Sequence, residues 1–279
     1  MTSAIQATAP PSPRNLTAVA LRLLMLNTQH SSPQRARHQA DWIAAQEGAD
    51  TVVITEVSSG PGGEALASAL TGHGYHSIVA PPSGTRDYRT ILASRDATLE
   101  VAPSGIGVQP HRAPAAIVTL GGQQVGLLGL YVPSRGPRER RNEDKRAFQT
   151  AVTQALPGFL ARFDVPVIVA GDLNVVEPGH RPRYPVFGSW EYDFYRAFAA
   201  TGMTDAYRAC HPGDAGHSWY GRGGNGYRFD HAFITSAHAR LVRDCGYLHE
   251  PRQQGLTDHA AMTLTLGPED EDDEEGARR

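Results

Sequence analysis

The feature that most constrains this chain is a repeated punctuation, apolar runs that each stop at one polar side chain. The clearest run is Val165-Pro-Val-Ile-Val-Ala-Gly-Asp-Leu-Asn174. Its β-branched residues read as a buried strand that delivers a carboxylate and a carboxamide to a loop at its carboxyl end. Gly171 lets the backbone turn where a side chain would strain. Asp172 and Asn174, two apart, share a face in extended chain. An Asx turn closing a strand has the same sequence, so this stretch alone leaves both readings open. Partners elsewhere shift the balance. Leu21–Leu26 stops at Asn27, Asp50–Thr55 stops at Glu56, and Gln124–Val132 carries Tyr131 near its end. In layered α/β folds, that edge of the strands is where ligands gather.

Between these runs the chain reads as alternating elements. Ser32-Pro33 looks like an N-cap with proline at the first helical position, opening a helix to about Glu47 that Gly48 closes. A short helix over Glu64–Leu70 and strands over Tyr75–Ala80 and Tyr88–Ser94 follow. Ala115–Leu120 and Gln124–Val132 flank Gly121-Gly122, a hairpin signal. Phe148, Val152, Leu156, Phe159 and Phe163 keep the helical period, and Pro157 should kink or split that helix. Then come a Pro/Gly/Arg/aromatic loop over 177–190, a helix over Glu191–Ala200, and strands over Tyr227–Thr235 and Ala261–Leu266. The pattern argues for α/β layers with mixed sheets. No linker interrupts 20–267, so one domain is expected. Residues 1–19, rich in Pro, Ser, Thr and Ala, read as a flexible arm. Residues 268–279 read as a disordered acidic tail.

Charge narrows the partners. The tail holds seven of the 29 acidic residues and two of the 26 basic ones, which leaves the rest of the chain at +2. Nucleic-acid binding would therefore need a local patch. Two cysteines, Cys210 and Cys245, make no disulfide framework and no CxxC pair. With no secretory leader and no membrane span evident, a monomer in the cytoplasm is the expectation.

The polar strand ends form a constellation once Asp230 and the pair Asp258-His259 are added. Glu56 and Asp258 are oxygen donors, and Asn27 offers a carbonyl oxygen. Without a cysteine or multi-histidine cluster, such a set suits Mg2+ or Mn2+ rather than zinc. His259 could neutralise a phosphoryl oxygen or move a proton. Asp230 could orient it from the other ring nitrogen, the two lying on adjacent strand ends. The bland alternatives are cap, turn and surface ion-pair roles for each residue. Strand alternation turns His231 away from Asp230, into core or surface.

Six short motifs now stand in order: Leu26-Asn27, Ile54-Thr-Glu56, Leu130-Tyr-Val-Pro133, Gly171-Asp-Leu-Asn174, Tyr227-Arg-Phe-Asp230 and Thr257-Asp-His259. Together they resemble the endonuclease/exonuclease/phosphatase superfamily, nearest its exonuclease III and apurinic/apyrimidinic (AP) endonuclease branch. The resemblance implies a four-layer α/β sandwich, two mixed sheets face to face with helices outside. It implies Glu56 as principal metal ligand, helped by Asn27 and Asp258. It implies Asp172 as the residue that positions or deprotonates the attacking water. Asn174 and Tyr131 would hold the phosphate, and Asp230 would orient His259 against it. The chemistry implied is in-line attack of water on phosphorus.

Departures from the pattern bear on substrate. Ser134 stands where the nuclease branch often has a carboxamide, Tyr227 where it often has tryptophan, and Ala260 where proline commonly follows Asp-His. The segment His217–Arg228 resembles the aromatic segment of exonuclease III-like enzymes. Trp219 could pack on a sugar or base, and Arg222 and Arg228 could hold phosphates. Arg135–Arg146 could track a strand, or form a solvated helix face. The favoured partner is DNA with an abasic site or a 3′ end. A small-molecule or lipid phosphate ester is the alternative, and a silent binding module is a third reading that the intact polar set disfavours.

Overall fold

The structure is a computed structural model, and it describes residues 20–84, 87–136 and 141–267. The expected arm, the acidic tail, Arg138 and Arg140 lie outside the described residues. In chain order the elements are β1 Leu21–Asn27, α1 Pro33–Ala45, β2 Thr51–Ser58, α2 Pro61–Gly72, β3 Ser77–Val79, β4 Tyr88–Ser94 and β5 Thr98–Ala102. After them come β6 Ala115–Leu120, β7 Gln123–Tyr131, α3 Asn142–Leu160, β8 Val167–Asp172, α4 Ser189–Ala200, β9 Met203–Asp205 and α5 Ala206–Cys210. The chain closes with β10 Trp219–Tyr220, β11 Gly226–Tyr227, β12 Asp230–Thr235, β13 Val242–Leu248, α6 Glu250–Gln253 and β14 Ala261–Leu266.

Two six-stranded mixed sheets carry the core, in the orders β13-β14-β1-β2-β4-β3 and β5-β6-β7-β8-β12-β9. Strand alternation explains the layering. Leu23 and Met25 of β1 join Leu127, Ile168 and Ala232 of the other sheet in one apolar cluster. Leu24 and Leu26 point the opposite way, onto Ala36, Ala40 and Ile43 of α1 and Leu66 of α2. On the far side Leu128, Leu130 and Val169 meet Phe148, Val152 and Phe159 of α3 and Phe194 and Phe198 of α4. The result is the expected four-layer α/β sandwich, helices–sheet–sheet–helices. Both faces of the central strands are buried, which is why they read as continuous apolar runs.

Several expectations are corrected. β2 does not stop at Glu56 but runs on to Ser58, with a bulge between Ile54 and Val57 that turns Glu56 out of the ladder. Pro157 does not split α3, because it sits in the last turn before Leu160, where little helix remains to lose. Phe163 lies beyond that helix and packs on its cluster from the loop. The run Tyr227–Thr235 divides, since Gly226–Tyr227 pairs with Trp219–Tyr220 in a separate ribbon and β12 starts only at Asp230. Among the described residues, no helix is long and apolar enough to cross a membrane.

Candidate active site

Parallel and antiparallel pairing together decide where the polar side chains go. β1 and β2 run parallel, as do β7 and β8, so Asn27, Tyr131 and Asp172 leave their strands at one end of the sandwich. β12 runs antiparallel to β8, so its first residue, Asp230, sits in register with Asp172, the last residue of β8. Asp258 and His259 precede β14, which runs antiparallel to β1, and so reach the same end. Asp230 and His259, expected on adjacent strand ends, therefore come from opposing sheets.

At that end lies a cavity of about 370 Å³ whose lining includes Glu56, Tyr131, Asp172, Asn174, Trp219, Asp258 and His259. Its floor is Asp172, buried at 1 % exposure. Asp172 Oδ1 accepts from the Asn174 N–H at 2.8 Å. Its Oδ2 accepts from Asn27 Nδ2 at 2.9 Å and from Asn174 Nδ2 at 3.0 Å. Burial, and next the charge of Asp230, push the Asp172 carboxyl up to about 7, against the pull of His259 and the Asn174 N–H. Gly171 makes the turn possible. Its φ is +145°, and a Cβ there would lie 2.1 Å from the Leu130 carbonyl oxygen.

His259 Nδ1 lies 2.8 Å from Asp230 Oδ2. Burial alone would lower this imidazole, but the charge and hydrogen bond of Asp230, then Asp172 and Asp258, outweigh it and raise His259 to about 10. The ring is therefore an imidazolium at neutral pH, with Nδ1–H donated to Asp230. Asp258 lies beside it, accepting the Trp219 indole N–H at 2.9 Å. Tyr131 is buried under the Arg112 guanidinium, 4.6 Å from its ring centre. Burial, then the charges of Glu56 and Asp172, hold its phenol well above the ordinary value, so it remains a donor.

Three assignments change, while Asn27 gains a second role: its carbonyl oxygen accepts the Gln29 N–H at 2.8 Å and keeps a lone pair for a metal, and its amide nitrogen holds Asp172. Asn174 was expected to hold phosphate, but its amide nitrogen donates to Asp172 and to the Val132 carbonyl at 2.9 Å. Arg228 was expected to hold phosphate, but it is fully buried and pairs with Glu177 at 2.7 Å and Asp205 at 2.8 Å. A guanidinium committed to two buried carboxylates is structural. Arg222 is exposed in the turn between β10 and β11 and does not line the cavity. Trp219 does line it, and orients Asp258 as well.

Some contributors escaped the sequence. Lys145, read as part of a basic segment, is wholly buried and donates to the Asn174 carbonyl at 2.7 Å and to Glu191 at 2.5 Å. Glu191 in turn accepts the Gly188 N–H at 2.9 Å, a capping-box contact legible in Gly188-Ser-Trp-Glu191. Phe187 and Phe229 complete an aromatic wall with Tyr227 and Trp219. Arg135 and Arg141 add cations to the cavity lining.

The cavity's donors suit a hard divalent cation. Glu56 and Asp258 present carboxylates to it, and Asp172 stands at its floor. Among the described residues, no three His, Cys, Asp or Glu side chains gather to enclose an ion. An ion here would keep water ligands, as Mg2+ does.

Comparison with known proteins agrees with the architecture. Residues 25–259 match the family model described as the Endonuclease/Exonuclease/phosphatase family. The exodeoxyribonuclease of Bacillus subtilis (strain 168) is 25% identical over 171 residues, 56% of this chain and 66% of that protein. The DNA-(apurinic or apyrimidinic site) endonuclease of Dictyostelium discoideum is 25% identical over 207 residues, 68% of this chain and 56% of that protein. The chain thus spans under two thirds of the length of either relative. An AP endonuclease from Archaeoglobus fulgidus superposes with a TM-score of 0.71 at 19% identity, over 89% of this chain and 100% of that one. A 3′ phosphatase from Neisseria, bound to a product DNA hairpin, superposes with a TM-score of 0.69 at 20% identity, over 89% of this chain and 100% of that one. With the matched region covering most of the chain and the same strand ends meeting in one cavity, this chain belongs to the Endonuclease/Exonuclease/phosphatase family.

Proposed function

We propose that the protein is a metal-dependent phosphodiesterase that hydrolyses DNA phosphodiester bonds with an activated water. The observation that carries this reading is the meeting of Asp172 with the Asp230–His259 pair across two sheets, beside Glu56 and Asp258. Asp172, fixed by Asn27 and Asn174, accepts a proton from water and aims the oxygen. His259, as imidazolium, donates from Nε2 to a non-bridging phosphoryl oxygen, and Asp230 holds the ring. Tyr131 donates its hydroxyl to the same phosphate. Mg2+ or Mn2+ held by Glu56 and Asp258 would supply charge neutralisation at the phosphoryl oxygens and leaving group. Trp219, Tyr227, Phe187 and Phe229 would receive a sugar.

DNA is the favoured substrate class because both curated relatives carry DNA-acting names. The test is a panel of abasic duplex, nicked duplex, 3′-phosphorylated end, single strand and small phosphate esters, with Mg2+ or with EDTA. Nicking or 3′-end trimming that needs Mg2+ and vanishes with Glu56→Gln is the expected result. Turnover confined to small esters would replace the nuclease reading with that of a phosphatase. Silence on the whole panel would remove the enzyme reading.

A further inference from the structure

Gln29, His30 and Glu56 hold positive φ, at 51°, 40° and 53°. Such backbone costs free energy outside glycine and persists only where its surroundings fix it. Here the fixing contacts converge on Glu56. The Thr28 N–H donates to the Thr55 carbonyl at 3.0 Å, and the His30 N–H donates to the Glu56 carbonyl at 3.1 Å. The Thr28 hydroxyl also lies 3.1 Å from that Glu56 oxygen. From α1, Arg35 donates to the Gln29 carbonyl at 2.6 Å and Gln39 to the Thr28 carbonyl at 3.0 Å. The loop thus clamps the main chain of the β2 bulge.

It grips the Glu56 side chain as well. His30 Nδ1 lies 3.0 Å from Glu56 Oε1. A carboxylate only accepts, so Nδ1 carries the proton. The imidazole stacks on Tyr88, with ring centres 5.2 Å apart and planes inclined by 27°. Tyr88 is itself fixed opposite Ser58 in the β2–β4 ladder and lines the cavity. The His30 side chain is 52% exposed, so burial does not explain why it points at Glu56.

We infer that His30 is a positioning residue for Glu56. Braced by Tyr88, its Nδ1–H holds one carboxylate oxygen and leaves the other for the divalent cation. Hydrogen bonds to a ligating carboxylate set its orientation, and losing them weakens metal binding. The inference rests on the metal-dependent reading above, so its test includes Glu56→Gln.

The experiment measures Mn2+ binding by electron paramagnetic resonance on the full chain, without nucleic acid. Relative to wild type, Glu56→Gln should lose the site and His30→Ala should weaken it about tenfold or more. His30→Asn places an amide N–H where Nδ1 stands and should bind within about threefold of wild type, whereas His30→Gln, whose amide falls near Nε2, should behave like His30→Ala. Tyr88→Leu should fall between. Thermal melts of the metal-free variants identify any that are unfolded, and the Asn/Gln comparison is made on folded protein. If His30→Ala binds as wild type while Glu56→Gln does not, the inference fails and the metal reading stands. If Asn and Gln are impaired equally, positioning by Nδ1 is wrong. If wild type and Glu56→Gln bind alike, both fail together.

Discussion

At the residue scale, the proton inventory of the cavity sets the pH behaviour. In the proposed mechanism Asp172 acts only when ionised, and its carboxyl is pushed up to about 7. In the same mechanism His259 acts only when protonated, and it is raised to about 10. The profile of kcat/KM should therefore be a bell, with an acid limb at or below about 7, since a bound cation lowers it, and an alkaline limb near 10. Asp230→Asn should bring the alkaline limb down, because it removes the charge that holds the proton on His259. An unmoved limb would mean that another group titrates there. The sign for stability follows the same group. A histidine raised on folding stabilises the fold fully below its ordinary value near 6.5, and that contribution is lost as pH rises through about 10. Urea unfolding at pH 6 and pH 10 should show the loss in wild type and less of it in His259→Gln. Asp172→Asn should cut kcat by about 10³-fold with little change in KM, the range for removing a general base.

At the element scale, the loop after β8 depends on a buried pair outside the cavity. Lys145 and Glu191 are both nearly sealed, and they tie α3, Asn174 and the start of α4 together. Burial lowers the Lys145 ammonium from its ordinary value, and Glu191 is the main group opposing that. Lys145→Met alone should cost up to about 3–5 kcal/mol, because it leaves the buried Glu191 charge with only Arg135, 3.9 Å away, and Lys145→Met with Glu191→Gln should cost less. Denaturant midpoints measure both. Gly171→Ala should be at least as damaging, since its Cβ would collide with main chain rather than with a movable side chain.

Central strands were legible because burial on both faces leaves an uninterrupted apolar run with a polar end. Three of the four edge strands, β5, β9 and β13, were not. β5 exposes Val101 at 71% and carries Glu100, and β13 includes Arg243 and Asp244, so neither alternates cleanly. The candidate site was legible as a set of residue types at strand ends. Its wiring was not. Asn27 and Asp172 stand 145 residues apart, and nothing local says that the amide nitrogen of one meets the carboxylate of the other. Arg228 was misassigned because a cation beside aromatics looks alike whether it faces phosphate or buried Asp205.

At the scale of the whole molecule, two sheets packed face to face open at one end onto a single cavity, and each supplies half of its polar set. Glu56 and His259 come with one sheet, Asp172 and Asp230 with the other. The body carries little net charge, so salt dependence should come from the cavity lining. Arg141→Gln should reduce the slope of log Kd against log salt by about one on a DNA ligand, the loss of one phosphate contact. An unchanged slope would remove Arg141 from the DNA path.

The most direct measurement of the shared site is a double-mutant cycle on Mg2+-dependent cleavage of abasic duplex DNA, using Asp172→Asn, His259→Ala and the pair. Groups acting as one unit on one phosphate are strongly non-additive. The expected result is a double variant barely slower than the worse single one. Two losses that simply multiply, or a single variant with wild-type kcat/KM, would contradict a site built jointly by the two sheets.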